Sequence, residues 1–164
     1  LRREYPSWLY PVTLGATTIW ERWDGWRPDK GFQDPNMNSF NHYAFGSCGQ
    51  YLFSCVGGIF PLEPGYQAFA VAPVIGEGLT WASASYASMY GEIVSEWKKE
   101  DGKCRLKVVV PPNTRADIRL PVAAAAQVSE GGVPLAEAKG LTLLNVGRGS
   151  VLVRAGAGTY AFEF

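Results

Sequence analysis

The spacing of apolar residues along the chain changes near residue 60. Before that point, apolar side chains recur with a helical period over about residues 40 to 57, which predicts an amphipathic helix that ends at Gly57-Gly58. After Pro61, short alternating and β-branched segments replace the helical period. The pattern therefore predicts a chain that is α in its first part and β in its second.

The second part contains eight segments that we expect to form strands. They cover residues 66–72, 78–87, 90–98, 103–110, 114–120, 141–146, 150–155 and 158–164. Asp101-Gly102 is typical of a two-residue hairpin turn between two of them. Several short strands separated by turns favour an antiparallel β-sandwich over residues 66–164.

Two helix starts are expected in the first part. Thr17 or Thr18 is a suitable N-cap, and a helix beginning there would hold Glu21 in its first turn, near the positive end of the helix dipole. Asn38 or Ser39 is a suitable cap for the helix over residues 40–57. These helices present an apolar face that residues 1–60 do not cover, so we expect a larger helical domain or close packing on the sandwich.

Composition narrows the classes of partner. The 164 residues suffice for one ordinary domain or for part of a larger one, and 15 basic residues balance 15 acidic ones. A neutral chain lacks the basic footprint of a nucleic-acid-binding protein, and no run of about 18 apolar residues is present to span a membrane. We therefore expect neither nucleic acid nor a membrane as partner.

The three cysteines, Cys48, Cys55 and Cys104, are expected to be free thiols. Cys48 and Cys55 are separated by about 10 Å along a helix, which is too far for a disulfide. Free thiols suit a reducing compartment such as the cytoplasm. The chain opens at Leu1 without an initiator Met or a signal-like segment, so we expect that processing or truncation removed the start.

One stretch combines aromatic rings, carboxylates and the chain's only histidine. Its candidate functional residues are Trp20, Glu21, Trp23, Asp24, Trp26, Asn38 and His42. Flat aromatic faces beside a carboxylate are what a sugar-cleaving site needs, because the rings stack on the sugar and the carboxylate moves a proton. The alternative is structural: the tryptophans belong to a core, Glu21 pairs with Arg22 or another neighbour, and His42 is a core or capping residue.

Two long motifs in this stretch resemble those of the bacterial α-L-rhamnosidases of glycoside hydrolase family 78. They are GATTIWERWDGW at residues 15–26 and MNSFNHYAFG at residues 37–46. The likeness continues in GLTWASASY at residues 78–86, IVSEW at 93–97 and VPPNT at 110–114, and it covers about residues 4–121.

The resemblance implies a fold and a substrate. The family's catalytic domain is a barrel of paired helices, an (α/α)6 toroid, followed by a C-terminal β-sandwich. Residues 1–60 would be the last helices of a truncated catalytic domain, and residues 66–164 the sandwich. The substrate would be a rhamnose-containing glycoside, the chief partner would be the missing N-terminal part of the catalytic domain, and no cofactor or metal is expected.

The resemblance also implies roles for the candidate residues. The family hydrolyses terminal α-L-rhamnosides with inversion by two carboxylic acids, of which Glu21 would be the general base. His42 would contact the rhamnose, with Asn38 as a further contact, while Trp20, Trp23 and Trp26 would wall the pocket. Asp24 would orient water or hold the long loop that we expect over residues 24–39, where Pro, Gly, Asp and Asn are frequent. The family's general acid lies upstream and has no match here, so the chain alone is expected to be inactive.

Two other functions are compatible with the residues. One is a non-catalytic β-sandwich module that binds carbohydrate or docks a partner. The other is a helical-barrel glycosidase with a different sugar specificity.

Overall fold

The computed structural model of the chain describes residues 3–164. They form two compact units whose boundary falls between Gln50 and Tyr51, and we call residues 3–50 unit 1 and residues 51–164 unit 2. Most regular structure in the described chain is β, with a small helical part. None of the helices in residues 3–164 has the length and apolar character needed to cross a membrane.

Unit 1 contains little regular structure. Its elements are helix α1 (Leu9–Thr13), strands β1 (Trp26–Arg27) and β2 (Gly31–Phe32), a 3-10 turn (Ala44–Ser47), and the start of helix α2 (Cys48–Tyr51). Strands β1 and β2 form an antiparallel hairpin inside residues 24–39, which were predicted to form a loop.

Two of the predicted helix starts are wrong. No helix begins at Thr17 or Thr18, because residues 18–21 instead hydrogen-bond to residues 39–42. The second helical stretch begins at Ala44, so His42 precedes it rather than lying in its first turn, and the residue at the N-cap, Tyr43, makes no capping hydrogen bond with its side chain. That stretch is mixed: the 3-10 turn leads into α2 and then into a π turn (Leu52–Val56). Long-range backbone pairing has overridden the local capping signals here.

Unit 2 contains eleven strands in two sheets. In chain order they are β3 (Ile59–Pro61), β4 (Ala68–Val71), β5 (Trp81–Ser88), β6 (Gly91–Glu100), β7 (Lys103–Val110), β8 (Arg115–Leu120), β9 (Ser129–Glu130), β10 (Val133–Pro134), β11 (Leu141–Gly147), β12 (Ser150–Ala155) and β13 (Gly158–Glu163). Short 3-10 turns lie at Pro64–Tyr66, Ala125–Gln127 and Leu135–Glu137. Each of the eight predicted strands is present.

The sheets are mostly antiparallel. One has the order β10-β9-β13-β7-β6-β5 and the other β11-β12-β8-β4-β3. The predicted antiparallel pairing has one exception, because β4 runs parallel to β8. The chain leaves β4 and forms three strands of the other sheet before it returns as β8, and such a long crossover allows a parallel pair.

Buried residues from both sheets form one hydrophobic core. The largest fully buried side chains include Phe69 and Ile118 from one sheet and Trp97, Leu106 and Phe162 from the other. Along β7, apolar residues alternate with exposed basic ones, as a strand with one covered face requires. The alternation seen in the sequence is therefore the alternation between core and surface.

Two turns in unit 2 depend on glycine. The β6–β7 hairpin closes through Asp101 and Gly102, both at positive φ (52° and 77°), which confirms the predicted two-residue turn. Gly58 follows the π turn at φ 78°, and a Cβ there would lie 2.3 Å from the backbone nitrogen of Pro73. Only glycine permits this close approach of two backbone segments.

Candidate active site

Backbone pairing inside unit 1 brings Glu21 and His42 together. The Glu21 N–H donates to the Ser39 carbonyl at 2.9 Å, and the His42 N–H donates to the Ile19 carbonyl at 2.8 Å. The Thr18 hydroxyl also donates to the carbonyl of Phe40. These bonds hold residues 18–21 beside residues 39–42 in opposite chain directions, so two side chains 21 positions apart in the sequence become neighbours.

The Glu21 carboxylate has two described neighbours. Its Oε2 accepts a hydrogen bond from the Ser39 N–H at 3.2 Å, and its Oε1 lies 3.9 Å from Nε2 of His42. The side chain remains 23% exposed. Arg22 does not pair with it, because the Arg22 guanidinium binds Asp24. Glu21 therefore keeps acceptor capacity for a further donor.

His42 has a defined tautomer when it is neutral. The Ala44 N–H donates to Nδ1 at 3.2 Å, so Nδ1 carries no hydrogen and the ring proton resides on Nε2. Nε2 is the nitrogen that faces Glu21. The ring stacks on Tyr43 with centroids 5.4 Å apart. His42 thus presents an N–H donor on the side where the carboxylate lies.

Asp24 is engaged at both carboxylate oxygens. Arg22 Nε donates to Oδ1 at 2.6 Å, and the Tyr5 hydroxyl donates to Oδ2 at 3.0 Å. The Arg22 hydrogen bond, followed by that of Tyr5, lowers the pKa of Asp24, and the same contacts raise the pKa values of Arg22 and Tyr5. Asp24 therefore links Tyr5 to Arg22.

The tryptophans lie mainly in aromatic stacks. Trp20 is buried and stacks on Phe40 at 4.6 Å, while Trp23 stacks on Phe45 at 4.8 Å and lies 5.1 Å from Trp8. Trp20 and Trp23 line a cavity of about 150 Å³ that Glu21 does not line. Its lining is Trp8, Pro11, Val12, Thr18, Ile19, Trp20, Trp23 and Phe45.

The two remaining candidates lie on the loop between these segments. Trp26 is half-buried in β1, and Asn38 is exposed immediately before Ser39. The structure therefore brings Glu21 and His42 into one group, Trp20 and Trp23 into a second, and Asp24 into a third.

Sequence reasoning missed several contributors to this arrangement. Ser39 donates from its backbone, and Tyr5 and Phe45 act through contacts with residues at least 19 positions away. No local spacing signals such contacts. Within residues 3–164, no group of three or more His, Cys, Asp or Glu side chains is arranged to hold a metal ion.

Comparison with known protein families gives two matches that follow each other along the chain. Residues 1–56 match the bacterial alpha-L-rhamnosidase 6 hairpin glycosidase domain. Residues 58–133 match the bacterial alpha-L-rhamnosidase C-terminal domain.

Individual relatives agree with these matches. An alpha-L-rhamnosidase of Formosa agariphila is 39% identical over 97% of this chain and 17% of that protein, and one of Streptomyces avermitilis is 45% identical over 73% of this chain and 12% of that protein. The crystal structure of Streptomyces avermitilis alpha-L-rhamnosidase complexed with L-rhamnose superposes with a TM-score of 0.87 at 37% identity, over 99% of this chain and 15% of that one.

The chain spans less than a fifth of the length of each of these relatives. Both family matches, both relatives and the crystal structure nevertheless carry the name alpha-L-rhamnosidase, and the two matched domains cover residues 1–56 and 58–133. The chain belongs to the bacterial α-L-rhamnosidase family of glycoside hydrolases and corresponds to its C-terminal portion.

Proposed function

We propose that this chain supplies the general-base side of an inverting α-L-rhamnosidase site that hydrolyses terminal α-L-rhamnosides. Glu21 is the base and His42 contacts the rhamnose. The single observation that carries the proposal is the carboxylate of Glu21, which lies 3.9 Å from His42 and is not neutralised by Arg22. The relative of known structure that is complexed with L-rhamnose supports the choice of sugar.

Glu21 suits a base because its carboxylate is partly exposed and has acceptor capacity left. In an inverting reaction, the base removes a proton from a water that attacks the anomeric carbon, while the acid protonates the leaving oxygen. The Ser39 N–H fixes one carboxylate oxygen at 3.2 Å, which leaves the other oxygen for the water. The hydrogen bond orients the group without supplying a competing positive charge.

His42 suits a sugar contact because its Nε2–H is free to donate to a ring hydroxyl. The bond from Ala44 to Nδ1 holds the imidazole in that orientation. The half-buried Trp26 and the exposed Asn38 are proposed as further sugar contacts at the rim. Asp24, whose oxygens are both engaged, is proposed to hold the loop in place.

The general acid is proposed to come from the rest of the helical catalytic domain. We assign residues 1–60 to the last part of an (α/α)6 barrel and residues 66–164 to a C-terminal β-sandwich. The inverting geometry requires the acid to lie about 6.5–9.5 Å from Glu21. With the acid placed outside this chain, the chain by itself is proposed to be inactive.

Rhamnose release by the complete enzyme tests the proposal. Glu21→Gln, assayed with an aryl α-L-rhamnoside, is expected to lower kcat by about 10²–10⁴-fold, the range that a general base contributes. Glu4→Gln, which changes an exposed carboxylate in the same unit, is the matched control and is expected to retain activity. Equal rates for the two variants would remove Glu21 from the role of base.

A further inference from the structure

Two tryptophans on neighbouring strands of the six-stranded sheet have opposite environments. Trp97 in β6 is 2% exposed and belongs to the core, whereas Trp81 at the start of β5 is 65% exposed. β5 is the edge strand of the sheet, and Trp81 pairs with Lys98 across β6. The Trp81 ring therefore lies on the outer face, held there by a paired strand.

Charged and hydroxyl side chains fill the outer face beside Trp81. Residues in register on neighbouring strands point to the same side of a sheet, so Lys98 and Arg105 continue the row that begins at Trp81. The next row contains Ser83, Glu96 and Lys107. We call these six residues the Trp81 surface.

The polar groups of this surface are already connected. The Ser83 hydroxyl donates to Glu96 Oε1 at 3.2 Å, and Lys107 Nζ donates to Glu96 Oε2 at 3.2 Å. Each Glu96 oxygen keeps a further lone pair, and the Lys107 ammonium keeps two further donors. Such fixed, incompletely used donors and acceptors can bind the neighbouring hydroxyls of a sugar.

The shape of the surface suits an extended ligand. A shallow depression of about 470 Å³ is lined by all six residues of the Trp81 surface, and a second depression of about 410 Å³ adjoins it. The two share Arg105 and Lys107, and the second continues to Glu163 on β13. Together they are large enough for more than one sugar ring.

The charge distribution favours a neutral ligand. Lys98 pairs with Glu100 at 3.0 Å, Arg105 with Glu163 at 3.2 Å, and Lys107 with Glu96 at 3.2 Å. Each cation of the Trp81 surface therefore has an acidic partner, which leaves little attraction for a polyanion.

We propose that the Trp81 surface is a second carbohydrate site, which stacks a neutral pyranose ring on Trp81 and hydrogen-bonds its hydroxyls through Glu96 and Lys107. This proposal rests on the proposed function, because the ligand is a rhamnose ring of the same neutral glycan whose terminal rhamnose is cleaved at Glu21. The surface would hold the polysaccharide near the enzyme and leave the chemistry to the other site.

Titration of the full 164-residue chain with methyl α-L-rhamnoside tests the proposal. The backbone amide NMR signals of β5 and β6 are expected to shift saturably. Trp81→Ala should weaken this binding at least tenfold, while Trp81→Phe should keep part of it because a flat ring remains. Leu143→Ala, which truncates an exposed side chain on the other sheet, is the matched control and should leave it unchanged.

The same titration separates this proposal from the function proposed for Glu21. In the Glu21→Gln and His42→Ala variants of the 164-residue chain, the shifts of β5 and β6 should persist even if the same substitutions stop rhamnose release by the complete enzyme. Unchanged affinity in Trp81→Ala, or no saturable shift in the wild-type chain, would overturn the second site. If the wild-type chain shows no saturable shift, the indole of Trp81 can be tested for oxidation in the complete enzyme. A Trp81 that resists oxidation there would identify the surface as a protein contact instead.

Discussion

Units 1 and 2 are built on different principles. The hydrophobic core identified among the described residues lies wholly in unit 2, where two sheets contribute fully buried side chains. In unit 1, only Ser7, Pro11, Trp20 and Gly25 are buried within residues 3–50. Unit 1 holds its shape through aromatic stacks, a few backbone hydrogen bonds and the ion pair of Asp24.

The contrast shows that the candidate site residues and the hydrophobic core lie in different units. Glu21 and His42 lie in the unit with less burial and less regular backbone, as is common for residues that must face a substrate. Its geometry depends on the pairing of residues 18–21 with 39–42. The sheets of unit 2 contain the hydrophobic core but none of the proposed catalytic groups.

The largest expected effect comes from the core of unit 2. Trp97→Ala should lower the free energy of unfolding of that unit by about 3–5 kcal/mol, the range for truncating a buried tryptophan. The variant also removes the hydrogen bond from the Trp97 indole to the Val56 carbonyl at 2.8 Å. Urea denaturation measures the change. Val133→Ala, at an exposed position, is the control and should cost less than about 0.5 kcal/mol.

A smaller effect is expected from the aromatic stack of unit 1. Phe45 lies 4.8 Å from Trp23 and 6.0 Å from Trp8, but it is only half-buried. Phe45→Ala should therefore cost about 1–2 kcal/mol, made up of the ring contacts and partial burial. Met37→Ala, at an exposed position of the same unit, serves as control. A loss as large as that of Trp97→Ala would contradict the contrast between the units.

Acid should weaken unit 1 through Asp24. Its pKa is lowered chiefly by Arg22, so the stability it contributes is present above the unfolded-state value of about 3.9 and is lost as pH falls through the lower folded value. Near-UV circular dichroism of the tryptophans from pH 5 to pH 2 follows this loss. Asp24→Asn should be less stable near pH 5 and should show a flatter profile below pH 4. If Asp24→Asn keeps the wild-type dependence of stability on pH, Asp24 is not the cause of the acid-induced loss.

The smallest expected effect concerns which ring nitrogen of His42 carries the hydrogen. Because the Ala44 N–H donates to Nδ1, nitrogen NMR at a pH where the ring is neutral should find the hydrogen on Nε2. His42 is the chain's only histidine, so its signals need no separate assignment. Ala44→Pro removes the donor and should increase the fraction protonated at Nδ1. A neutral wild-type ring protonated mainly at Nδ1 would contradict the orientation that the sugar contact requires.

The sequence predicted unit 2 much better than unit 1, and the reason is physical. A strand with one buried face has a period of two, and the Asp101-Gly102 turn fixes its hairpin locally, so β6 and β7 can be recognised from neighbouring residues alone. The strand β3 and the parallel pairing of β4 with β8 depend on distant segments. Local patterns contain no information about them.

In unit 1, the local signals were misleading. Thr18 was expected to cap a helix, but its hydroxyl instead contacts the carbonyl of Phe40, 22 positions away. The candidates Glu21 and His42 could be named because their residue types and motifs are distinctive. The 3.9 Å distance between the Glu21 and His42 side chains, the hydrogen bond from the Ser39 N–H to Glu21 and the ion pair of Arg22 with Asp24 all arise from tertiary contacts. Local sequence patterns do not encode such contacts.

The most direct test of the base assignment is chemical rescue of the complete enzyme. Glu21→Ala removes the carboxylate and leaves space beside His42 for a small anion. With an aryl α-L-rhamnoside whose leaving group needs little protonation, added azide should attack the anomeric carbon from the side that water uses. The account predicts an azide-dependent rise in rate and formation of β-L-rhamnosyl azide. A Glu21→Ala enzyme that keeps the wild-type rate without azide would contradict it.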